Sequence, residues 1–342
     1  MVRAKTQKLV LDGNGTYLGM EKGCFAIKDK NGNVAKYPLF ENEIGEVILK
    51  SGNAVSTGAL ASLGFWGIDT LITTHKGKPV ALLKALDDDS HVKTRICQYD
   101  ALKDTRAFDI AKQFVKAKVE GQNIVLKKYG LKTDTSVKLK INAIGTDNLV
   151  TVRRKLMQVE SKFSQFYFKQ TLQLIPETIR PEGRKTFKAY DGVNNLFNLA
   201  YELLAWKVHR ALINAKLEPF LGFVHSEQFG KASLVCDFME LYRFLIDDFL
   251  IQHFKGISKK DFVTKYEVLT RKKRGKREYL NDCDSKVFMR ELNQFFESNV
   301  EIPRIKVGKR QTLETLISEE ALLLAKYLRN EKKDWIPRIP AI

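Results

Sequence analysis

Between Leu217 and Arg243 the chain reads LEPFLGFVHSEQFGKASLVCDFMELYR. His225 follows a turn containing Pro219 and Gly222, Asp237 comes later, and Glu240 lies one helical turn beyond Asp237. Carboxylates at i and i+3 on a helix share a face. A histidine folded back onto that face completes a nitrogen and oxygen donor set suited to a divalent metal ion. The chain carries 58 Lys and Arg against 40 Asp and Glu, a formal net charge of +18. An anionic substrate is therefore expected, with nucleic acid the first candidate.

The flanking run SLVCDFMELYRFL is apolar enough to predict a buried helix. Buried carboxylates are costly unless paired or metal-bound. Arg243 stands three residues after Glu240, so periodicity leaves a structural Glu–Arg pair and a metal site equally open. Alone, His225 reads more readily as a satisfied core histidine. His75, His91, His209 and His253 have no comparable acidic company and read as structural. Glu160 lies in the helical run VRRKLMQVESKFSQFYF, with Tyr167 two turns further along the same face.

A second kind of chemistry lies at Arg271, Lys272, Lys273, Arg274, Lys276 and Arg277, six cations in seven residues. Such a run is either a solvated flexible loop or a contact to a phosphate backbone, where each cation releases counterions. The backbone contact is the reading adopted, without readout of particular bases. Arg153-Arg154 and Arg184-Lys185 would add positive charge near the supposed metal site.

Elements must position these groups. With 342 residues, 44% of them hydrophobic, the chain is long enough for two or three folded domains. Residues 1 to about 86 read as β-rich: a turn at Asp12-Gly13-Asn14-Gly15, a hairpin across Lys30-Asn31-Gly32-Asn33, a strand ending at Gly52, a short helix in NAVSTGALASLGFWG, and two strands around His75 to Pro79. GNGTYLG has the wrong glycine spacing for a dinucleotide fingerprint. Asp87-Asp88-Asp89-Ser90 marks a linker and helix start. From residue 87 the pattern is helical to the end. Helices are expected over 91–130, over 147–175, from an Asp191 cap through Ala215, from Ser233 to Phe254 unbroken, and from Thr312 to Arg329. The fold class is α+β, a small β-rich N-terminal domain (1–86) followed by a larger all-α domain (87–342). The four cysteines form no CxxC pair, MVRAKTQKLV lacks the apolar core of a signal peptide, and no run of 18 apolar residues occurs. A cytoplasmic protein with reduced thiols is expected.

Four stretches carry a family resemblance. The first is the Leu-Glu-Pro turn with Gly222-Phe223, His225, Ser233-Leu234, Asp237, Glu240 and Arg243. The second is DGVNNLFNLAY from Asp191 to Tyr201, the third Glu160 with Tyr167, and the fourth VILKSGNAVSTGALASLGFWGIDTLI. Together they resemble the CRISPR-associated integrase of spacer acquisition, the first-numbered Cas protein family, over nearly the whole chain. Gly192 departs from the family's usual proline, and the Glu227-Gln228-Phe229 segment does not align.

The resemblance implies a metal-dependent DNA integrase and endonuclease of CRISPR adaptation. Such an enzyme joins the 3′ hydroxyls of short DNA fragments into the repeat array by transesterification. It implies Glu160, His225 and Glu240 as ligands of Mg²⁺ or Mn²⁺, Asp237 as a further catalytic acid, and Tyr167 and Asn194 near the site. It implies double-stranded DNA and a small companion Cas protein as partners, a homodimer formed through the N-terminal domain, and no membrane. The alternatives are a structure-selective DNA or RNA nuclease of repair, or a DNA-binding scaffold without catalysis.

Overall fold

The computed structural model describes residues 7–38, 44–75, 77–84, 92–146, 148–270, 273–301 and 311–341. The Asp87–Ser90 linker, His91, Arg271 and Lys272 lie outside the described residues. The chain divides into two compact units, Met1–Ser90 and His91–Ile342.

The first unit runs β1 (Gln7–Leu11), β2 (Tyr17–Glu21), β3 (Cys24–Lys28), β4 (Val34–Pro38), β5 (Ile44–Lys50), β6 (Ala54–Val55), α1 (Thr57–Phe65), β7 (Asp69–Thr73) and β8 (Pro79–Leu83). Its two four-stranded sheets have the orders β1-β5-β7-β8 and β4-β3-β2-β6. In the first, β1 and β7 run parallel to β5. In the second, Glu21 pairs with Cys24, so the hairpin turns on Lys22 and Gly23 alone. Both have positive φ, 49° and 76°, the backbone that matches the strand twist in a two-residue loop. The Asp12–Gly15 turn joins strand to strand, which is not the context of a dinucleotide site. Alternate residues Leu9, Leu11, Val47 and Leu49 point inward with Leu18 and Phe25. Ser56 starts α1 by accepting the Ala59 N–H at 3.1 Å.

The second unit runs α2 (Val92–Ala101), α3 (Thr105–Lys128), α4 (Val137–Asn142), α5 (Leu149–Thr171), α6 (Gly192–Asn214), α7 (Ser233–Met239), α8 (Arg243–Phe254), β9 (Phe262–Thr270), β10 (Lys273–Leu280), α9 (Asp282–Glu297), β11 (Asn299–Val300), β12 (Gln311–Thr312) and α10 (Leu313–Leu328). Asp104, Asn148, Asp191, Asn281 and Thr312 each cap a helix by accepting a first-turn N–H. The apolar stripe of α3 (Ala107, Ile110, Phe114, Val125) enters one continuous core with α6, α8 and α10. At Gly121 an added Cβ would lie 2.3 Å from the Phe244 ring, so α3 and α8 meet where only glycine fits.

Two expectations are corrected. Ser233–Phe254 is not one helix. Leu241 and Tyr242 bond back three residues, to Phe238 O at 3.2 Å and Met239 O at 3.0 Å. Tyr242 then leaves helical backbone, at φ −127°, and α8 starts afresh. Nor is the larger unit all-α. FVTKYEVLT is rich in β-branched and aromatic residues and alternates them with charged ones over Thr264–Val268, a pattern that favours strand. It pairs with β10 as an antiparallel hairpin with Lys276 opposite Tyr266 and Arg277 opposite Lys265. The described part of the basic run, from Lys273 on, belongs to this hairpin and not to an unstructured loop.

Candidate active site

Asp237 builds the histidine loop. Its buried carboxylate accepts the backbone N–H groups of Phe223 at 2.6 Å, Val224 at 2.8 Å and His225 at 3.0 Å. The His225 ring nitrogen Nδ1 lies 2.6 Å from Asp237 Oδ1. From the other side, the Arg153 guanidinium donates to Phe223 O at 2.9 Å and Gly222 O at 2.6 Å. Gly222 is needed because an added Cβ would fall 2.6 Å from His225 O and 2.9 Å from Asp237 Oδ2. Ser233 closes the loop by donating to Ser226 O at 2.8 Å.

His225 then faces a cleft. Its other walls are Phe114, Val115 and Lys118 of α3, Met157 and Glu160 of α5, and Asp237 and Glu240 of α7 and its end. The Lys118 ammonium contacts Glu160 Oε1 and stands 2.8 Å from Glu240 Oε2. Ser164 donates to Glu160 Oε1 at 2.7 Å, and Arg243 Nη1 lies 2.8 Å from Glu240 Oε1. Burial pushes the Glu240 carboxyl up, but Arg243 and Lys118 outweigh it and hold the group below its ordinary range. It stays ionised.

Among the described residues, no three His, Cys, Asp or Glu side chains converge closely enough to hold a metal ion. The donor set nevertheless suits one. Two carboxylates from different helices share a single cation, and Glu240 Oε2, although near the ammonium, is buried without a hydrogen bond of good geometry. With an imidazole on the same cleft, the oxygen and nitrogen donors match Mg²⁺ or Mn²⁺.

Tyr167 and Asn194 do not line the cleft. Tyr167 is buried and donates to Asp247 Oδ2 at 2.9 Å, while Tyr201 donates to Asp247 Oδ1. Burial, only partly offset by these hydroxyls, pushes the Asp247 carboxyl up to about 6. The Arg243 guanidinium packs 4.7 Å from the centre of the Tyr201 ring. Tyr167 therefore reaches Glu240 through Asp247, Tyr201 and Arg243. Asn194 is spent at the start of α6. Its amide donates to Gly183 O and Asp191 Oδ2, both at 2.9 Å, and accepts from Lys185 N at 2.8 Å and Arg184 at 3.1 Å.

Sequence reasoning misses Lys118 and Asp247. Lys118 does carry a signal, since Ala107, Ile110, Phe114 and Gln122 place it on the apolar stripe of α3. A lysine there needs anionic company.

The basic hairpin is rooted on α6. Glu278 donates its N–H to Tyr190 O at 2.8 Å, its carbonyl accepts the Asn195 amide at 2.7 Å, and its carboxylate accepts the Gly192 N–H at 3.2 Å. A Cβ on Gly192 would lie 2.1 Å from Phe262, so the proline expected there by resemblance would not fit. Lys276 stands 5.6 Å over the exposed Tyr266 ring, and Arg277 lies 3.7 Å from Glu267. In the strand register Lys273 lies opposite Thr270 and Arg274 opposite Val268.

Comparison with known proteins gives one consistent result. The profile of the family described as CRISPR associated protein Cas1 matches residues 9–285. The CRISPR-associated endonuclease Cas1 of Korarchaeum cryptofilum is 28% identical over 270 residues, covering 73% of this chain and 78% of the relative. One from Archaeoglobus fulgidus is 29% identical over 264 residues, covering 69% and 74%. In fold, the chain resembles a casposase bound to integration product, with a TM-score of 0.74 at 20% identity, covering 96% of this chain and 92% of that one. It also resembles a Cas1 protein from Thermotoga maritima, with a TM-score of 0.72 at 18% identity, covering 94% and 97%.

Proposed function

Since the chain belongs to the Cas1 family of CRISPR-associated proteins, we propose that the cleft between α3, α5 and α7 is its site of phosphoryl transfer. The protein is an endonuclease and integrase of CRISPR adaptation. The observation that carries the site is the pair Glu160 and Glu240, drawn onto one cation beside His225.

Glu160, Glu240 and His225 would hold Mg²⁺ or Mn²⁺, which supplies Lewis-acid polarisation of the scissile phosphate. Asp237 acts through His225. It accepts the Nδ1 proton, leaving Nε2 as the ring nitrogen available to the cleft, the arrangement by which a carboxylate fixes the tautomer of a ligating histidine. Arg243 keeps Glu240 ionised and rests on the Tyr201–Asp247–Tyr167 assembly. Tyr167 and Asn194 are positioning residues on this reading. Arg153 holds the histidine loop. The cations of the basic run, Arg271, Lys272, Lys273, Arg274, Lys276 and Arg277, grip the DNA backbone outside the cleft, holding the reacting ends in register, where much of the rate for such chemistry arises.

The nucleophile is the 3′ hydroxyl of a short DNA fragment, and the target is a phosphodiester of the repeat array. Water in the same place gives nuclease activity. Partners on this reading are double-stranded DNA, a small companion Cas protein and a second copy of the chain joined through the N-terminal unit, all in the cytoplasm. Solved relatives include a Cas6-RT-Cas1–Cas2 complex and a TtCas1–DNA complex. Among the described residues, no helix is long and apolar enough to cross a membrane.

The test is strand transfer. Purified protein, with and without the companion, is mixed with a short duplex bearing free 3′ hydroxyls and a supercoiled repeat-array plasmid, in Mg²⁺, Mn²⁺ or chelator. Metal-dependent joining lost in His225→Ala and Glu240→Ala is the expected result. DNA binding without joining in any metal, unchanged by either substitution, overturns the assignment.

A further inference from the structure

Lys118 occupies an unusual position. It projects from the apolar stripe of α3, its side chain is only 11% exposed, and its ammonium contacts carboxylates from two other elements, Glu160 of α5 and Glu240 at the end of α7. Burying a lysine costs free energy unless anions compensate it, and burying two carboxylates side by side costs more. Each charge here is tolerable because of the others. Glu240 also has Arg243, whereas Glu160 has only Ser164 besides Lys118 among its described partners.

We infer that Lys118 is a tethered cation that holds Glu160 and Glu240 together in the metal-free protein and yields them to the divalent ion when it binds. This rests on the metal reading of the same cleft. An ion bound to both carboxylates competes directly with the ammonium for the same oxygens, so loading must displace Lys118. The displaced ammonium remains on the wall of the cleft with no anion left to it. A phosphate oxygen of bound DNA is the natural replacement, since lysine serves phosphate as a mobile point charge. Lys118 thus raises the metal concentration at which the site fills, and then positions the substrate.

The two roles predict effects of opposite sign. In Lys118→Met, Mn²⁺ should bind at least tenfold more tightly by calorimetry, because no internal cation competes. The metal-free protein should melt lower than wild type, and its melting temperature should rise more on adding Mn²⁺. Strand transfer at saturating Mn²⁺ should fall. Lys118→Arg, which keeps a cation, should leave Mn²⁺ affinity within about threefold of wild type. Unchanged or weaker Mn²⁺ binding in Lys118→Met overturns the inference.

A measurement on wild-type protein avoids any folding defect. Acetylation of lysines followed by mass spectrometry should find Lys118 shielded without metal and labelled several-fold faster with saturating Mg²⁺. Addition of duplex DNA should shield it again. Labelling unaffected by metal overturns the inference. A wild type that binds no metal fails the parent reading instead, so the two failures are distinguishable.

Discussion

Replacing Asp237 by asparagine keeps its shape but removes its charge and the ability to accept hydrogen bonds at both oxygens. Oδ2 accepts from Phe223 N and Val224 N, and Oδ1 from His225 N and Nδ1. An asparagine amide has one accepting oxygen and one donating nitrogen. Placed with its oxygen toward Phe223 and Val224, its nitrogen confronts the His225 N–H. Reversed, it confronts two backbone donors. One or two buried N–H groups are orphaned in either pose, at about 1–3 kcal/mol each, and bonds to a charged acceptor become bonds to a neutral one. The expected destabilisation is about 3–5 kcal/mol. For a unit of this size each kcal/mol moves the melting temperature by roughly 2–4 °C, so a fall on the order of 10 °C is expected by scanning calorimetry. Strand transfer at a temperature where the variant is folded should drop further than Asp237→Glu drops it, because the His225 tautomer is no longer held. An Asp237→Asn protein that melts within a degree or two of wild type and joins DNA normally would refute the claim that Asp237 builds the loop.

Gly222→Ala should cut joining at least tenfold and lower stability by about 1–3 kcal/mol, the usual cost of overpacking, since its Cβ would overlap His225 O and Asp237 Oδ2; wild-type joining at unchanged melting temperature would count against it. Buried Asp247, raised from 3.8 to about 6, binds its proton more tightly in the folded state. Its contribution is therefore fully present at low pH and is lost as pH rises through about 6, by about 3 kcal/mol. Asp247→Asn should gain stability relative to wild type between pH 4 and pH 7.5 in denaturant titrations, and a pH-independent difference would show the group is not so perturbed. Replacing Arg271, Lys272 and Lys276 together by alanine should lower the slope of log affinity for duplex DNA against log salt by about 0.9 for each phosphate no longer neutralised; filter-binding at several salt concentrations with an unchanged slope would remove the basic run from the DNA path.

What can be read ahead of the structure follows from how local each cause is. The Asp191 cap of α6 and the Asn-Gly turn of the β3–β4 hairpin are decided within a few residues, and both stand where expected. The break after Glu240 is not local. Apolar residues continue through it at helical spacing, and Phe238, Tyr242 and Phe244 enter the core on both sides of the break. The β9–β10 hairpin is hidden because the density of charge in Arg271–Arg277 masks the alternation at Thr264–Val268 just before it. His225 and Asp237 are legible as a pair, but their direct contact is not, because it needs the turn at Gly222. Tyr167 shares a helical face with Glu160, yet α5 meets different neighbours along its length, so one reaches the cleft and the other Asp247.

The cleft is assembled from α3, α5 and the α7 segment, and more than a hundred residues separate Lys118 from Glu240. None of these segments alone presents more than part of the donor set. During synthesis the helices emerge in order, and the α7 segment, which carries the histidine loop and the second acid, is the last of the three. A nascent or partly unfolded chain can hold native helices and still lack the proposed site, because contacts so distant in sequence form only as the whole unit condenses. If the cleft is the site proposed above, this ordering is a safeguard for an enzyme that breaks DNA: incomplete molecules would be inert towards the chromosome without needing an inhibitor.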